Sequence, residues 1–119
     1  MNCIKIESGR IELVLETKKI GEDYILTLTG GKKHAGAVAV GFFDEKTKLA
    51  SSSVLTLPGH REDQIALKGA RIISKTTRKT TVFVVGIHFE DISSEEIEEI
   101  VQGSEKIIKM FLENYEQNY

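Results

Sequence analysis

The sequence predicts one α+β domain: a single mixed, mostly antiparallel sheet of about six strands with two helices. Several short segments alternate apolar and polar residues, as strands with one buried face do. Two longer segments repeat apolar residues at helical spacing. The chain has 119 residues and one proline, which fits a single domain over residues 1–119 without a proline-rich linker.

Composition argues against several classes of function. Sixteen basic and eighteen acidic residues give a formal net charge of −2, so the basic field typical of nucleic-acid-binding proteins is missing. No apolar run approaches the ~20 residues of a membrane span, and the first residues lack the apolar core of a signal peptide. Cys3 alone permits no internal disulfide. We therefore expect a soluble, cytoplasmic protein that binds neither nucleic acid nor membrane.

Six strands are predicted, separated by turns rich in glycine or polar residues. The last, Thr80–Phe89, is apolar on both faces, which is typical of a central strand. Small residues line one face of the fourth, so a helix can approach it closely. The first five strands are centred on Ile4–Ile6, Ile11–Leu15, Tyr24–Thr29, Ala35–Phe43 and Ser51–Leu57.

Two helices complete the pattern. The first is predicted from Arg61 to about Thr77. The second begins where Ser93 and Glu96 form the sequence signature of a capping box, and its apolar stripe continues to Tyr115.

The element order β-β-β-β-β-α-β-α predicts how the strands pair. Consecutive strands with short connections are expected to be antiparallel neighbours. The fifth strand, first helix and sixth strand are expected to form one right-handed βαβ crossover with the two strands parallel. The start of the fourth strand and the ends of the fifth and sixth then share one edge of the sheet.

Only three histidines occur in the chain, and each lies in a segment marked by glycine. The segments are Gly30-Gly31-x-x-His34-x-Gly36, Leu57-Pro58-Gly59-His60-Arg61 and Gly86-Ile87-His88. The predicted topology brings all three to one edge of the sheet, beside the N-terminus of the first helix. We name this edge, formed by the three segments, the histidine rim.

Three kinds of chemistry fit the histidine rim, and the first is anion binding. A helix N-terminus favours phosphate or carboxylate through its free N–H groups and its dipole. Lys32, Lys33 and Arg61 add positive charge, and Gly30-Gly31 lets backbone amides approach a ligand. Glu62 and Asp63 oppose this attraction.

The other two kinds of chemistry are a three-histidine metal site and acid–base catalysis by one histidine. Neither has strong support, because the chain has no His-x-His pair, no helical i,i+4 histidine pair and no nucleophile elbow. Structural roles are the remaining alternative: His60 as a helix cap, His88 bound to a buried carbonyl, and His34 in a solvated turn.

The three segments, together with Leu28-Thr29 before the first and Val84-Val85 before the third, resemble a family of small proteins. It is the prenylated-flavin chaperone-like family, which includes the D subunit of gallate and hydroxyarylic acid decarboxylases. The resemblance covers about residues 21–112. It implies a fold similar to that of the small proteasome assembly chaperones.

The resemblance also implies a non-enzymatic role: handling prenylated FMN or FMN, or assisting a UbiD-like decarboxylase. No catalytic residue and no metal ligand is then expected. An assembly-chaperone-like interaction module without a small-molecule ligand is the alternative, and in either case we expect a homo- or hetero-dimer. The cofactor-binding residues predicted on these grounds are Gly30, Gly31, His34, Gly36, Gly59, His60, Arg61, Gly86 and His88.

Overall fold

A computed structural model describes residues 2–57 and 62–116. These residues form six strands and two helices in the predicted order, so the predicted α+β class with one mixed sheet is confirmed. The elements are β1 (Cys3–Ser8), β2 (Ile11–Ile20), β3 (Asp23–Gly31), β4 (Ala37–Asp44), β5 (Leu49–Thr56), α1 (Asp63–Thr77), β6 (Thr81–His88) and α2 (Ser94–Asn114).

The order of strands across the sheet is β1-β2-β3-β6-β4-β5, and it corrects two predicted pairings. The prediction that β3 and β4 are neighbours is wrong, because β6 lies between them, parallel to β3 and antiparallel to β4. The prediction that β5 and β6 are neighbours is also wrong. They do point the same way, but β4 separates them. The physical reason is that β6, apolar on both faces, gains most by pairing on both sides at the centre of the sheet.

Both helices pack on the same face of the sheet. α1 lies over β4, β5 and β6, and α2 lies over β1 and β2. The close approach predicted at β4 is confirmed, since a side chain at Gly41 would overlap the carbonyl oxygen of Ala70 in α1. The core lies between these layers, and each large side chain that is fully buried there contributes about 1.5–3 kcal/mol to folding. Its largest members are Phe83, Leu13, Leu15, Leu26, Leu28, Ile73 and Ile107.

The two helices begin differently. Ser93 and Glu96 form the predicted capping box at α2: the Ser93 hydroxyl accepts from the Glu96 N–H (3.1 Å), and the Ser93 N–H donates to Glu96 Oε1 (3.1 Å). α1 begins at Asp63 rather than at the predicted Arg61. Its N-cap is Glu62, whose side chain makes no capping hydrogen bond. The alternative in which His60 caps this helix concerns a residue outside the described ranges and stays a prediction.

The other face of the sheet carries neither helix, and we name it the open face. On β1 and β2 it is mainly charged. On the β6, β4 and β5 side it is mainly apolar, although Ser51 and Ser53 of β5, in register with Phe42 and Val40, are exposed on it. Phe42 is 48% exposed and Leu55 77% exposed. Val38, Val40, Val82 and Val84 complete this apolar half.

Within the described residues, α1 and α2 are both too short or too polar to cross a membrane.

Candidate functional site: the histidine rim

Backbone hydrogen bonds assemble the histidine rim from three separate parts of the chain. β3 and β6 pair in parallel as far as Gly31 and His88, and the Lys32 N–H donates to the His88 carbonyl (2.9 Å). The Gly36 N–H donates to the Val85 carbonyl (2.9 Å), which brings in the segment before β4. The Leu57 N–H donates to the Gly36 carbonyl (3.0 Å). Leu57, the first residue after β5, therefore lies at the same edge.

Two of the three histidines meet at this edge, as predicted. The ring centres of His34 and His88 lie 6.4 Å apart, with the rings nearly perpendicular at 81°. Two predicted strand pairings were wrong, but the strand directions were right, and the directions decide which strand ends share an edge. The third histidine, His60, lies outside the described residues together with Gly59 and Arg61, so their contribution stays a prediction.

His34 is held between two acceptors. Its Nδ1 lies 3.0 Å from the Lys32 carbonyl oxygen, and its Nε2 lies 3.4 Å from Glu62 Oε1. A carbonyl oxygen only accepts, so Nδ1 must carry a proton. Nε2, the other ring nitrogen, faces the Glu62 carboxyl group. With contacts on both ring nitrogens and a side chain only 22% exposed, His34 is not the solvated turn residue considered from the sequence.

Glu62 is 7% exposed and stands at the N-cap of α1. The helix dipole favours a negative charge at this position. The Glu62 carboxylate thus occupies the place of an anionic ligand, beside both the N-terminus of α1 and His34. An external phosphate would have to compete with it there, so the exposed side of the rim suits an anionic ligand better.

The exposed side of the rim carries Lys32, Lys33 and His88. His88 Nε2 lies 3.2 Å from Glu90 Oε1, not on the buried carbonyl considered from the sequence. Because both side chains are well exposed, this pair is weak and easily exchanged for another anion. These donors fit a phosphate group. Phe89 is less available to stack on a flavin ring, because the Arg10 guanidinium already lies over the Phe89 ring, 5.8 Å from its centre.

The four described glycines of the predicted site are packing positions. A side chain at Gly86 would overlap the carbonyl oxygen of His34, and one at Gly31, where φ is +66°, would overlap that of His88. Gly36 lies against the Glu62 carboxylate, and at Gly30 a Cβ would come within 2.8 Å of Leu13 Cδ2. The chain's own segments therefore make the close approach that the sequence suggested for a ligand.

Two residues that matter at the rim were not singled out from the sequence. Glu62, noted there only for its charge, is the partner of His34. Arg10, in the β1–β2 turn, donates to the Glu90 carbonyl (2.6 Å) and to Glu96 Oε2 (2.7 Å). It thereby fixes the loop that follows His88. An arginine directly after Gly9 in a tight turn is the only local signal for this role, and its partners are about 80 residues away in sequence.

Among residues 2–57 and 62–116, no group of three His, Cys, Asp or Glu side chains is placed to hold a metal ion. The three-histidine metal hypothesis requires His60 and so stays open. Two imidazoles on one tetrahedral metal would have centres about 5 Å apart, given metal–nitrogen bonds of about 2.0–2.1 Å. His34 and His88 are farther apart than this, and each Nε2 faces a carboxylate.

The family model of the prenylated flavin chaperone LpdD-like domain matches residues 7–116. The chain belongs to this family. A search of curated proteins finds no match. In this LpdD-like chain the fold is similar to that of a solved structure, a novel chaperone complex for yeast 20S proteasome assembly, with a TM-score of 0.62 and 14% identity. The match covers 92% of this chain and 91% of the other, and it confirms the expected fold.

Proposed function

We propose that this protein is a non-enzymatic, chaperone-like accessory protein that handles prenylated FMN, or FMN, for a UbiD-like decarboxylase in the cytoplasm. Its membership of the prenylated flavin chaperone LpdD-like family supports this role. The structural observation that carries the proposal is the meeting of His34 and His88 at one edge of the sheet.

The phosphate of the flavin nucleotide would bind on the exposed side of the rim. His88, Lys32 and Lys33 supply donors there, and charge-assisted hydrogen bonds to phosphate are stronger than neutral ones. Leu57 and Glu62, which flank the segment 58–61, both contact the rim. Gly59, His60 and Arg61 are therefore kept among the proposed binding residues. When bound, the flavin brings chemistry that the decarboxylase uses, and this chain only holds and releases it.

Titration of the protein with FMN and with prenylated FMN, followed by flavin fluorescence or calorimetry, tests the proposal. We expect saturable binding that His88→Ala weakens at least about tenfold, because a hydrogen bond to a charged group contributes about 1.5–3 kcal/mol. Lys46→Ala, in the β4–β5 turn at the other end of the sheet, is the matched control. The proposal fails if neither nucleotide binds, or if His34→Ala, His60→Ala and His88→Ala all bind as wild type does.

A second function is favoured by the open face. We propose that its apolar half binds a protein partner, either a second copy of this chain or the decarboxylase. Monomers rarely expose apolar patches larger than a few hundred Å². Phe42 and Leu55 are exposed there, on neighbouring strands beside the partly exposed valines of β6. The solved chaperone complex with this fold makes a protein-binding role reasonable.

Light scattering of the free protein, and a pull-down with a UbiD-like decarboxylase, test this second function. We expect a dimer or a captured decarboxylase, and we expect Phe42→Lys to abolish it. Ile97→Lys, on a helix at the opposite side of the molecule, is the control because Ile97 is similarly exposed. A monomer that captures no decarboxylase would contradict this proposal, as would an assembly that survives Phe42→Lys.

A further inference from the structure

A groove of about 440 Å³ lies between α1 and α2, away from the histidine rim. One stripe of each helix lines it. On α1 the stripe runs from Gln64 to Ile72, and on α2 it runs from Val101 to Leu112. Pockets for small molecules usually have volumes of about 300–1,000 Å³. The groove is therefore large enough for a small ligand.

The walls and floor of the groove are mainly apolar. Ile65 and Ile72 stand on one wall, and Val101, Ile108 and Leu112 on the other. Ile72 is 45% exposed, although its side of α1 is turned towards α2. Large apolar side chains left open to water in a concave surface favour an apolar occupant.

The helices diverge over the sheet: α1 packs on β4, β5 and β6, and α2 packs on β1 and β2. At the base of the groove Gly69 lies so close to the Phe83 ring that a side chain there would overlap it. Ser104 in the floor donates its hydroxyl to the Ile100 carbonyl (2.7 Å), so that proton is not offered to the groove.

Positive charge stands at the edges of the groove. Lys68 lines it from α1 and Lys109 from α2. Neither forms a salt bridge among the described residues. One carboxylate, Glu105, also lines the groove, so its lining has a net charge of +1. An occupant with an apolar body and a negative end matches this distribution.

We propose that the groove binds a free single-chain amphiphile, with its aliphatic chain between the helices and its anionic head near Lys68 or Lys109. The volume is that of a small molecule rather than of a partner helix. The outer surface of α2 is rich in glutamate, including Glu95, Glu98 and Glu99, and repels the anionic surface of a bilayer. A monomeric amphiphile in solution is therefore favoured over a membrane lipid.

Titration with a fluorescent probe, dansyl-aminoundecanoic acid, and its displacement by dodecanoate test the proposal. We expect saturable, one-to-one binding. Among unlabelled competitors from octanoate to dodecanoate, affinity should rise up to about fourfold for each added methylene until the groove is full. Dodecanol should bind at least fivefold more weakly than dodecanoate, since it lacks the charge that the lysines recognise.

Matched variants locate the site. Ile72→Glu and Val101→Glu should each weaken probe binding at least tenfold, whereas Ile97→Glu should leave it unchanged. Ile97 is 51% exposed on the same helix as Val101 but does not line the groove. Lys68→Gln combined with Lys109→Gln should remove the preference for dodecanoate over dodecanol, and Lys106→Gln should preserve it.

Circular dichroism should show that every variant is folded before its binding is interpreted. The proposal is overturned if the probe does not saturate, if Ile97→Glu weakens binding as much as Ile72→Glu, or if dodecanol binds as well as dodecanoate. Binding only to anionic vesicles, with none to the monomeric probe, would also overturn it. Flavin binding is measured in parallel, because the groove variants should leave it unchanged if the two sites are separate.

Discussion

At the scale of single residues, the histidine rim shows how a carboxylate from within the chain shapes a site. Glu62 pairs with His34 at the start of α1, where a phosphate was expected to bind. The pair fixes the His34 ring and fills the space beside Gly36. His34 is thus better suited to organising the edge than to holding a ligand, and His88 is left as the more accessible histidine.

Removal of the Glu62 charge should strengthen binding of an anion at the rim. We expect Glu62→Gln to tighten FMN binding about fivefold, because a like charge within several ångströms of the phosphate is then removed. Glu90→Gln is the control, and its effect should be smaller because Glu90 is exposed and screened by water and salt. Calorimetry with both variants gives the comparison. Weaker FMN binding in Glu62→Gln would place the phosphate away from His34.

Gly86 should tolerate no side chain. We expect Gly86→Ala to lower the free energy of unfolding by at least about 3 kcal/mol, because the new methyl group overlaps the His34 carbonyl and the backbone must move. Gly9→Ala is the control: it has a positive φ of +60° but open space around it, so about 1–2 kcal/mol is expected. Denaturant unfolding measures both. Equal losses of unfolding free energy in Gly86→Ala and Gly9→Ala would show that small backbone shifts relieve the close contact at Gly86.

The sequence predicted which residues lie at the rim better than it predicted what they do. Histidine and glycine are conspicuous at any position, so His34, His88 and the glycines were found directly. The packing role of Gly86 depends on the backbone of residue 34, and the role of Glu62 depends on the ring of His34. Such contacts join distant parts of the chain, and local pattern carries no information on them.

At the scale of elements, two separate sets of hydrogen bonds hold the start of α2. Ser93 and Glu96 satisfy each other's backbone N–H groups, and Arg10 binds the same Glu96 carboxylate from the β1–β2 turn. The capping box is a local pattern and was predicted correctly. The arginine was not predicted, because the turn and the helix meet only in the folded chain.

The cap itself should have a measurable effect on stability. Ser93→Ala removes the acceptor for the Glu96 N–H, and we expect it to cost about 1 kcal/mol of unfolding free energy. Ser94→Ala, one residue along and inside the helix, is the control and should be close to neutral. Thermal unfolding of the two variants distinguishes them. An unchanged melting temperature in Ser93→Ala would mean that Arg10 alone holds the end of the helix.

Acid should release the contact between Arg10 and Glu96. The hydrogen bond from Arg10, followed by that from the Ser93 N–H, lowers the pKa of Glu96 to about 2 from an ordinary value of 4.5. A carboxyl group with a lowered folded pKa stabilises the fold above its unfolded pKa, and this stabilisation is lost as the pH falls towards the folded value.

Stability measured between pH 6 and pH 2 tests this expectation. Arg10→Ala should be less stable than wild type at pH 6, and the difference should shrink as the pH falls from about 4.5 to about 2. Lys5→Ala, which removes an exposed lysine of β1, should follow the wild-type pH profile. A difference between Arg10→Ala and wild type that stays constant with pH would show that stacking on Phe89, rather than charge, is what Arg10 contributes.

At the scale of the whole molecule, the sheet is built around β6. It has a neighbour on each side, whereas β1 and β5 are the two edges. The fold class followed from the alternation of apolar residues and the order of elements. The hairpin pairings β1–β2, β2–β3 and β4–β5 also followed, but the neighbours of β6 did not, because local sequence pattern does not say which distant strands pair with it. In the complete sheet β6 lies between β3 and β4, and its helix-facing residues Phe83, Val85 and Ile87 are buried in the core.

Backbone protection should follow this arrangement. We expect the amides of Thr81–Ile87 to exchange with solvent most slowly and those of β1 and β5 much faster, because edge strands open without breaking the core. Hydrogen exchange measured by mass spectrometry resolves these segments. If β5 exchanges as slowly as β6, the edge strand must be covered, as it would be in an assembly formed through the open face. Phe42→Lys should then restore fast exchange in β5.

The central position of β6 also governs the order in which the chain can fold as it leaves the ribosome. β1, β2 and β3 form one antiparallel ribbon, and β4 and β5 with α1 form another unit. The two have no strand pairing with each other until residues 81–88 have been synthesised. A nascent chain that stops before β6 would present unpaired edges of β3 and β4, which are a template for aggregation. Completion of the sheet is therefore a late step in synthesis. Until β6 has been synthesised, the nascent chain must avoid aggregation through the exposed edges of β3 and β4.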